Sequence, residues 1–442
     1  MMSASIAAWS AAPFAGILVS IALAPLLIPQ AWARHYGKIA FAWAVITAMA
    51  MALAIGPGRA FSELFHVLAH DYIPFIVMLF VFFILTSGLI LRGTLPGTPL
   101  VNTSVLASGA MVASIVGATG ASILLIRPLL AANAHRRIRQ HIVIFVIFLV
   151  CNIGGALSPL GNPPLFLGYL QGIDVLWPVQ NLWPATLFAV IVLLLVFFAI
   201  DSFLSRQDPP GAKGAPRDLR LGGLINVPLL LIAMGAITIS GSWRPAIELT
   251  FVGQTFALQH LMRDLILIGV ALASLLFSDR AARAAQGFEW EPLVEVAILF
   301  AAIFVCMAPV LDMLQAGPSG PFAPIFALVT GSDGTPDNSA FFWASGLLSG
   351  VLDNAPTYLA FFNLAGGNAA QLSAPMAPTL MAISLGAVFM GALTYIGNAP
   401  NFMMLTIARR AGVAMPSFFG YLLWSGVILL PLFFLVDFFF LR

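Results

Sequence analysis

Hydrophobic residues run along this chain in blocks of about 18–22, the length an apolar helix needs to cross a bilayer. Ten blocks read as spans: residues 12–31, 38–56, 73–92, 141–171, 184–204, 222–240, 261–278, 293–313, 377–408 and 417–439. Two further apolar stretches, 101–133 and 339–364, are interrupted by GATGAS (117–122) and LDNAPT (352–357). Each reads as a re-entrant helical hairpin with its tip inside the membrane. Irregular backbone at that depth survives only where protein or a water-filled cavity satisfies it. Two of the spans are broken as well, by SPLGNPP within 141–171 and by TYIGNAPN within 377–408. Consecutive prolines and a Gly-Asn pair do not continue a helix. The polar FSELFHVLAH (61–70) reads as a short interfacial helix.

The two broken spans match each other. Gly161, Asn162, Pro164 and Phe166 align with Gly397, Asn398, Pro400 and Phe402, and Asp201 aligns with Asp437 at the same offset. Each half then holds three spans, a hairpin, a broken span and a final span. The halves are 1–205 and 222–442, joined by a cytoplasmic linker at 206–221. Five spans per half is an odd number, so the halves have opposite orientation. Inverted repeats with discontinuous helices are a recurrent design of secondary transporters, with the substrate near the midplane.

Composition narrows the class. Hydrophobic residues make up 61% of the 442 and charged residues 8%, too few to cover a soluble fold of this length. A net charge of +2 gives no basic field for nucleic acid. The expected architecture is an all-α polytopic membrane protein of about ten helices plus two hairpins. Cys151 and Cys306 lie in apolar runs and read as buried hydrophobes. The first residues carry no Lys or Arg, so the first apolar run reads as a retained span rather than a signal peptide. With both termini on one side, 14 of the 19 basic residues fall on the other, among them Arg92, Arg136, Arg137, Arg139, Lys213, Arg280, Arg409 and Arg410. The positive-inside rule makes that face cytoplasmic and both termini external. The expected location is a bacterial-type cytoplasmic (inner) membrane. The first hairpin then opens from the cytoplasm and the second from outside.

Polar groups at membrane depth are functional candidates. Asp353 at the second tip can bind Na⁺ or carry a proton, and it can also cap a helix. Asn162 and Asn398 can ligate a cation through oxygen or hold a carboxylate through nitrogen. Asn152 and Asn354 have the same chemistry. Ser158, Thr394, Thr119, Ser122 and Thr357 offer hydroxyls, and Gly161 and Gly397 offer open backbone. Possible Na⁺ sites are Asn162 with Ser158, and Asn398 with Thr394 and Asp353. Arg127, about two turns past the first tip, can attract an anion or pair with a carboxylate; it can also snorkel to the cytoplasm. Glu295 can relay protons or anchor a span at the interface. Asp201 and Asp437 read as pairing or capping groups near span ends. His66 and His70 are four apart but lack the companions a metal site needs.

NIGGALSPLGNPP (152–164) resembles the first signature of the ion-transporter superfamily, closest to NhaD-type sodium/proton antiporters. LDNAPTYLAF and TYIGNAPN resemble its second-hairpin and second broken-helix motifs. Citrate (CitMHS-like) transporters of the same superfamily carry similar Gly-Asn-Pro motifs. The NhaD-type pattern has Asp where this chain has Asn162. The resemblance implies a dimerising scaffold domain, a mobile transport domain carrying both hairpins, and elevator-type alternating access in a homodimer.

Two cargo readings follow, with sodium/proton antiport the leading one and organic-anion transport the alternative. Sodium/proton antiport rests on Asp353 and the NhaD-like stretch. Na⁺- or H⁺-coupled uptake of citrate or another organic anion rests on the neutral Gly-Asn-Pro sites and Arg127. A passive channel is the remote alternative. No HExxH or GxSxG pattern occurs, so an enzyme is not expected, nor any cofactor beyond Na⁺ or H⁺ as coupling ion.

Overall fold

A computed structural model describes residues 8–208, 217–279, 283, 290–331 and 334–442. Lys213, Arg280 and half of the 206–221 linker (209–216) lie outside the described residues. The described chain is a helical bundle. In order, the helices are α1 (Ala12–Leu27), α2 (Pro29–Ile55), α3 (Pro57–His66), α4 (Ile73–Ser87), α5 (Pro99–Val116), α6 (Ala118–Ala132), α7 (Gln140–Leu149), α8 (Pro163–Leu170) and α9 (Trp177–Ser205). The second half adds α10 (Asn226–Ser242), α11 (Leu258–Phe277), α12 (Glu291–Gln315), α13 (Asn338–Val351), α14 (Asn354–Leu364), α15 (Ala377–Met390), α16 (Ala399–Arg410) and α17 (Phe418–Phe440).

Among the described residues, eight helical runs are long and apolar enough to cross a membrane, against the ten spans expected. Seven of them correspond to expected spans and the eighth is α5, an arm of the first hairpin; the first, sixth and ninth expected spans hold the shorter helices α1, α10 and α15. Pro29 sits in the first turn of α2, where its missing N–H costs nothing, so α2 begins nine residues before the expected 38. The segment 61–70 is not a separate interfacial helix. α3, a π-helical turn at Val67–Tyr72 and α4 run on without a break from Pro57 to Ser87. The third span ends at Ser87 because the chain then extends into β1 (Ile90–Thr94).

Two antiparallel ribbons join the loops. β1 pairs with β2 (Arg217–Gly222), Arg92 facing Arg220. β3 (Glu248–Phe251) pairs with β4 (Gln254–Ala257). The first ribbon marks one end of the bundle. At that end the Arg137 amide donates to Asp208 over 2.9 Å, and the Arg139 guanidinium to the Gly412 carbonyl over 3.2 Å. The opposite end holds the second ribbon. There His66 Nδ1 and Gln254 Oε1 are 2.9 Å apart, and Trp177 donates to the Ser373 carbonyl over 2.9 Å.

α5 and α6 form a hairpin turned at Gly117, whose φ of 86° suits glycine. Its open end is tied by reciprocal amide bonds between Asn102 and Asn133, 2.8 and 2.9 Å. α13 and α14 form the second hairpin, with the Asp353 side chain capping α14 by accepting from the Ala355 N–H over 3.1 Å. α7 and α15 are buried nearly all round, as their uniformly apolar surfaces require. Each leads through a short 3₁₀ turn into its second half, α8 or α16. Around this centre α2 packs on α12 and α11 on α4; α4 meets α6, and α12 meets α14.

Buried carboxylates tie both hairpin bases to the last helix of their half. Asp201 on α9 accepts from Asn102 over 2.9 Å, meets His141 Nε2 at 2.8 Å and pairs with Arg136. Asp437 on α17 accepts from Ser339, and from Arg442 over 3.0 Å.

Candidate functional site

The two breaks meet at the centre of the molecule. Asn162 stands at the N-cap position of α8, followed by Pro163 and Pro164 in its first turn, and Asn398 at that of α16 ahead of Pro400; neither side chain bonds back to its helix. Each break folds tightly on itself. A Cβ at Gly161 would overlap the Gly155 carbonyl, and one at Gly397 would come within 2.6 Å of the Gly391 carbonyl.

Asparagines bridge the breaks. Asn398 Nδ2 donates to Asn162 Oδ1 (3.2 Å), to Asn152 Oδ1 (3.0 Å) and to the Cys151 carbonyl (2.9 Å). Asn162 Nδ2 donates to the Asn152 carbonyl over 2.8 Å. Asn152 Nδ2 donates to Asn401 Oδ1 and to the Ile147 carbonyl, both 2.8 Å. Asn401 in turn donates to the carbonyls of Gly391 and Thr394. All four side chains are buried.

The hydroxyls tie each hairpin to its break. Ser158 donates to the Ser114 carbonyl on α5, and its oxygen accepts from the Leu160 N–H over 3.1 Å. Thr394 donates to the Gly350 carbonyl on α13 over 2.6 Å and accepts from the Ile396 and Gly397 N–H groups, both 3.1 Å. With two N–H donors on its oxygen, Thr394 has no lone pair left for a cation in this arrangement. The Ala118 N–H at the first tip donates to the Gly161 carbonyl over 2.9 Å. The second tip has no counterpart to this bond among the described residues. Instead Asn354 is fully buried there, and among the described residues neither its Oδ1 nor its Nδ2 has a partner. A Cβ placed on Gly391 would contact both Asn354 Nδ2 and Asn152 Oδ1, at 3.5 and 3.0 Å, so the unpaired amide lies against the crossing.

The remaining sequence candidates sit around this centre. Thr357 donates to the Asp353 carbonyl over 2.9 Å and Ser122 to the Thr119 carbonyl over 2.8 Å, so both hydroxyls return to their own helices. Thr119 is half-buried at the first tip. Asp353 lines a cavity of about 20 Å³, room for one water, with Leu18, Ile21 and Ala22 of α1, Ile303 of α12, and Ile396. Arg127 is on the exposed side of α6, nine residues beyond its first residue. Glu295 is half-buried in the second turn of α12 beside the Trp32 side chain, away from the crossing. The structure thus gathers Asn152, Asn162, Asn354, Asn398, Ser158, Thr394, Gly161 and Gly397, and sets Arg127 and Glu295 apart. Asn401 completes the network without being a sequence candidate. It lies in the quoted TYIGNAPN stretch, but Leu165 occupies the matched position in the first half.

The profile of a family described as "Putative citrate transport" matches residues 3–441. Two relatives, an uncharacterized transporter of Mycobacterium bovis and one of Mycobacterium tuberculosis, are each 25% identical to the chain over 265 residues. That stretch covers 59% of this chain and 58% of the length of each relative.

Proposed function

Because this chain belongs to the "Putative citrate transport" family, matched from residue 3 to residue 441, we propose that it is a secondary active transporter of citrate or a related carboxylate, coupled to Na⁺ or H⁺. The observation that carries this reading is the unpaired Asn354 amide. An amide left buried with neither atom bonded costs about 1–3 kcal/mol, which a ligand that pairs it would recover. A carboxylate accepts from Nδ2, while a coupling cation is ligated by Oδ1.

The surroundings suit an anion. α6, α8, α14 and α16 all begin at the breaks or hairpin tips, and each presents the positive end of its dipole there. No Lys or Arg is needed for such a site. In this reading Asp353, beside the second tip, takes the coupling ion.

The inverted-repeat reading is supported by contacts that recur at one offset. Ser158 to Ser114 and Thr394 to Gly350 are the same bond, and all four residues align between the halves. In the elevator reading, hairpins, broken spans, α9 and α17 move against a scaffold built from α1–α4 and α10–α12. The Arg-rich end with the β1–β2 ribbon faces the cytoplasm, and both termini face outward. The exposed apolar face of α2, with Phe41, Met49 and Leu53, is where a second copy packs in the proposed homodimer.

Sodium/proton antiport is the second reading, favoured by Asp353 standing as the carboxylate at the hairpin tip. Equilibrium binding to purified protein separates the two. Carboxylate transport requires citrate binding that strengthens with Na⁺ or falling pH and weakens at least tenfold in Asn354→Ala. Binding of Na⁺ alone, with no carboxylate bound at millimolar concentration, favours antiport.

A further inference from the structure

The two broken spans carry a phenylalanine at matched positions, yet Phe166 is 0% exposed and Phe402 is 52% exposed. The difference runs along the half-helices. α8 is buried from Pro164 to Tyr169, whereas α16 leaves Phe402, Arg409 and Arg410 exposed. α8 is held at its far end by Tyr169, whose hydroxyl hydrogen-bonds Ser240 and donates to the Ile237 carbonyl over 3.1 Å, both on α10. The Arg263 guanidinium of α11 stacks on the same ring, 5.9 Å from its centroid. Gln171, just past α8, donates to Asp71 on the π-helical turn over 3.0 Å. Within the proposed moving body α8 packs chiefly on α14, and α16 on α6 and α7; the contacts of Tyr169 and Gln171 to α10, α11 and the π-helical turn are what α8 has in addition. One end of the crossing is therefore sealed by α10, α11 and the π-helical turn, and the matched arm at the other end carries no such seal among the described residues.

Arg263 indicates that this seal is balanced rather than permanent. It is 2% exposed, its Nε donates to Asp264 over 2.8 Å, and among the described residues its Nη1 has no partner. A buried guanidinium N–H without an acceptor is unfavourable. Lifting α8 away would admit water to Nη1 and relieve that cost. Against that gain, the lift breaks the Arg263 stacking as well as the hydrogen bonds of Tyr169.

We propose that Tyr169 is a latch residue. Bonded to Ile237 and Ser240 and stacked on Arg263, it holds α8 against the scaffold, and its release exposes Phe166 while Phe402 becomes covered. The proposal rests on the alternating-access reading above. Two inverted arms that exchange environments are what such a cycle requires, because each half adopts the other's conformation.

The test uses single cysteines, Phe166→Cys or Phe402→Cys, with Cys151 and Cys306 replaced by alanine. Full-length protein in sealed vesicles of either orientation is treated with a membrane-impermeant thiol reagent. With Tyr169 intact, the cysteine at 402 reacts from the Arg409 end at least tenfold faster than the cysteine at 166 reacts from either end. Tyr169→Phe keeps the ring and removes the hydroxyl, and it raises labelling at 166 from the opposite end about tenfold. Ser240→Ala removes one partner and shifts labelling the same way by less. Labelling at 166 that stays within twofold in both variants overturns the latch, as does a cysteine at 402 that never reacts. Uptake of labelled citrate is measured in the same vesicles. A labelling shift in protein that moves no solute upholds the latch and overturns the transport reading.

Discussion

Asn398 Nδ2 donates to Asn162 Oδ1 across 3.2 Å, joining residues that stand 236 apart in the chain. This bond couples the two breaks directly, so the centre of the molecule responds as one unit. The Asn162→Ala and Asn398→Ala variants should therefore be non-additive. Each single change should cost about 1–3 kcal/mol through donors or acceptors left buried and unpaired. A thermal-unfolding double-mutant cycle should return a coupling of about 0.5–3 kcal/mol. Strict additivity would mean the breaks are mechanically independent.

Gly161 and Gly397 are matched, but their clearances differ. Gly161 has the tighter approach, to the Gly155 carbonyl, with backbone that cannot swing aside. Alanine at either position overpacks the break, at a typical cost of about 1–3 kcal/mol. Gly161→Ala should be the worse of the two. Melting temperature and yield of folded protein in detergent check the order.

The ion pairs at the two hairpin bases should behave unequally. Asp201 is fully buried with Arg136 and His141, so Asp201→Ala leaves an uncompensated buried charge and should cost about 3–5 kcal/mol. Arg442, paired with Asp437, is mostly exposed, and Arg442→Ala should cost at most about 1 kcal/mol. Proteolysis of the first hairpin should accelerate in the Asp201 variant only.

Asp353→Asn should preserve the fold, because asparagine caps a helix about as well as aspartate. It should nonetheless uncouple transport. Exchange of carboxylate across the membrane should persist while accumulation driven by a Na⁺ or pH gradient falls at least tenfold. Full gradient-driven accumulation in this variant would remove Asp353 from the coupling step.

The breaks were legible in sequence because Pro163-Pro164 and the Gly-Asn pairs cannot continue a helix, whatever surrounds them. Asn162 and Asn398 emerged from the match between halves, and the structure brings them together. Asn401 escaped because its matched position holds Leu165. Tyr169 and Arg263 escaped for another reason: their stacking joins two spans that no local pattern relates. Hydropathy misplaces span limits where polar residues end an apolar run without ending the hydrogen-bond ladder. Glu63, His66, His70 and Asp71 interrupt the apolar pattern, yet the helical run continues from Pro57 to Ser87 through a π-helical turn.

The most direct measurement is uptake of labelled citrate and related di- and tricarboxylates by proteoliposomes carrying the purified protein, with an inward Na⁺ or proton gradient imposed. Carboxylate symport predicts accumulation above the external concentration, abolished by collapsing the gradient and by Asn354→Ala. Sodium-driven proton flux of equal size with and without carboxylate, and no carboxylate accumulated, would contradict it.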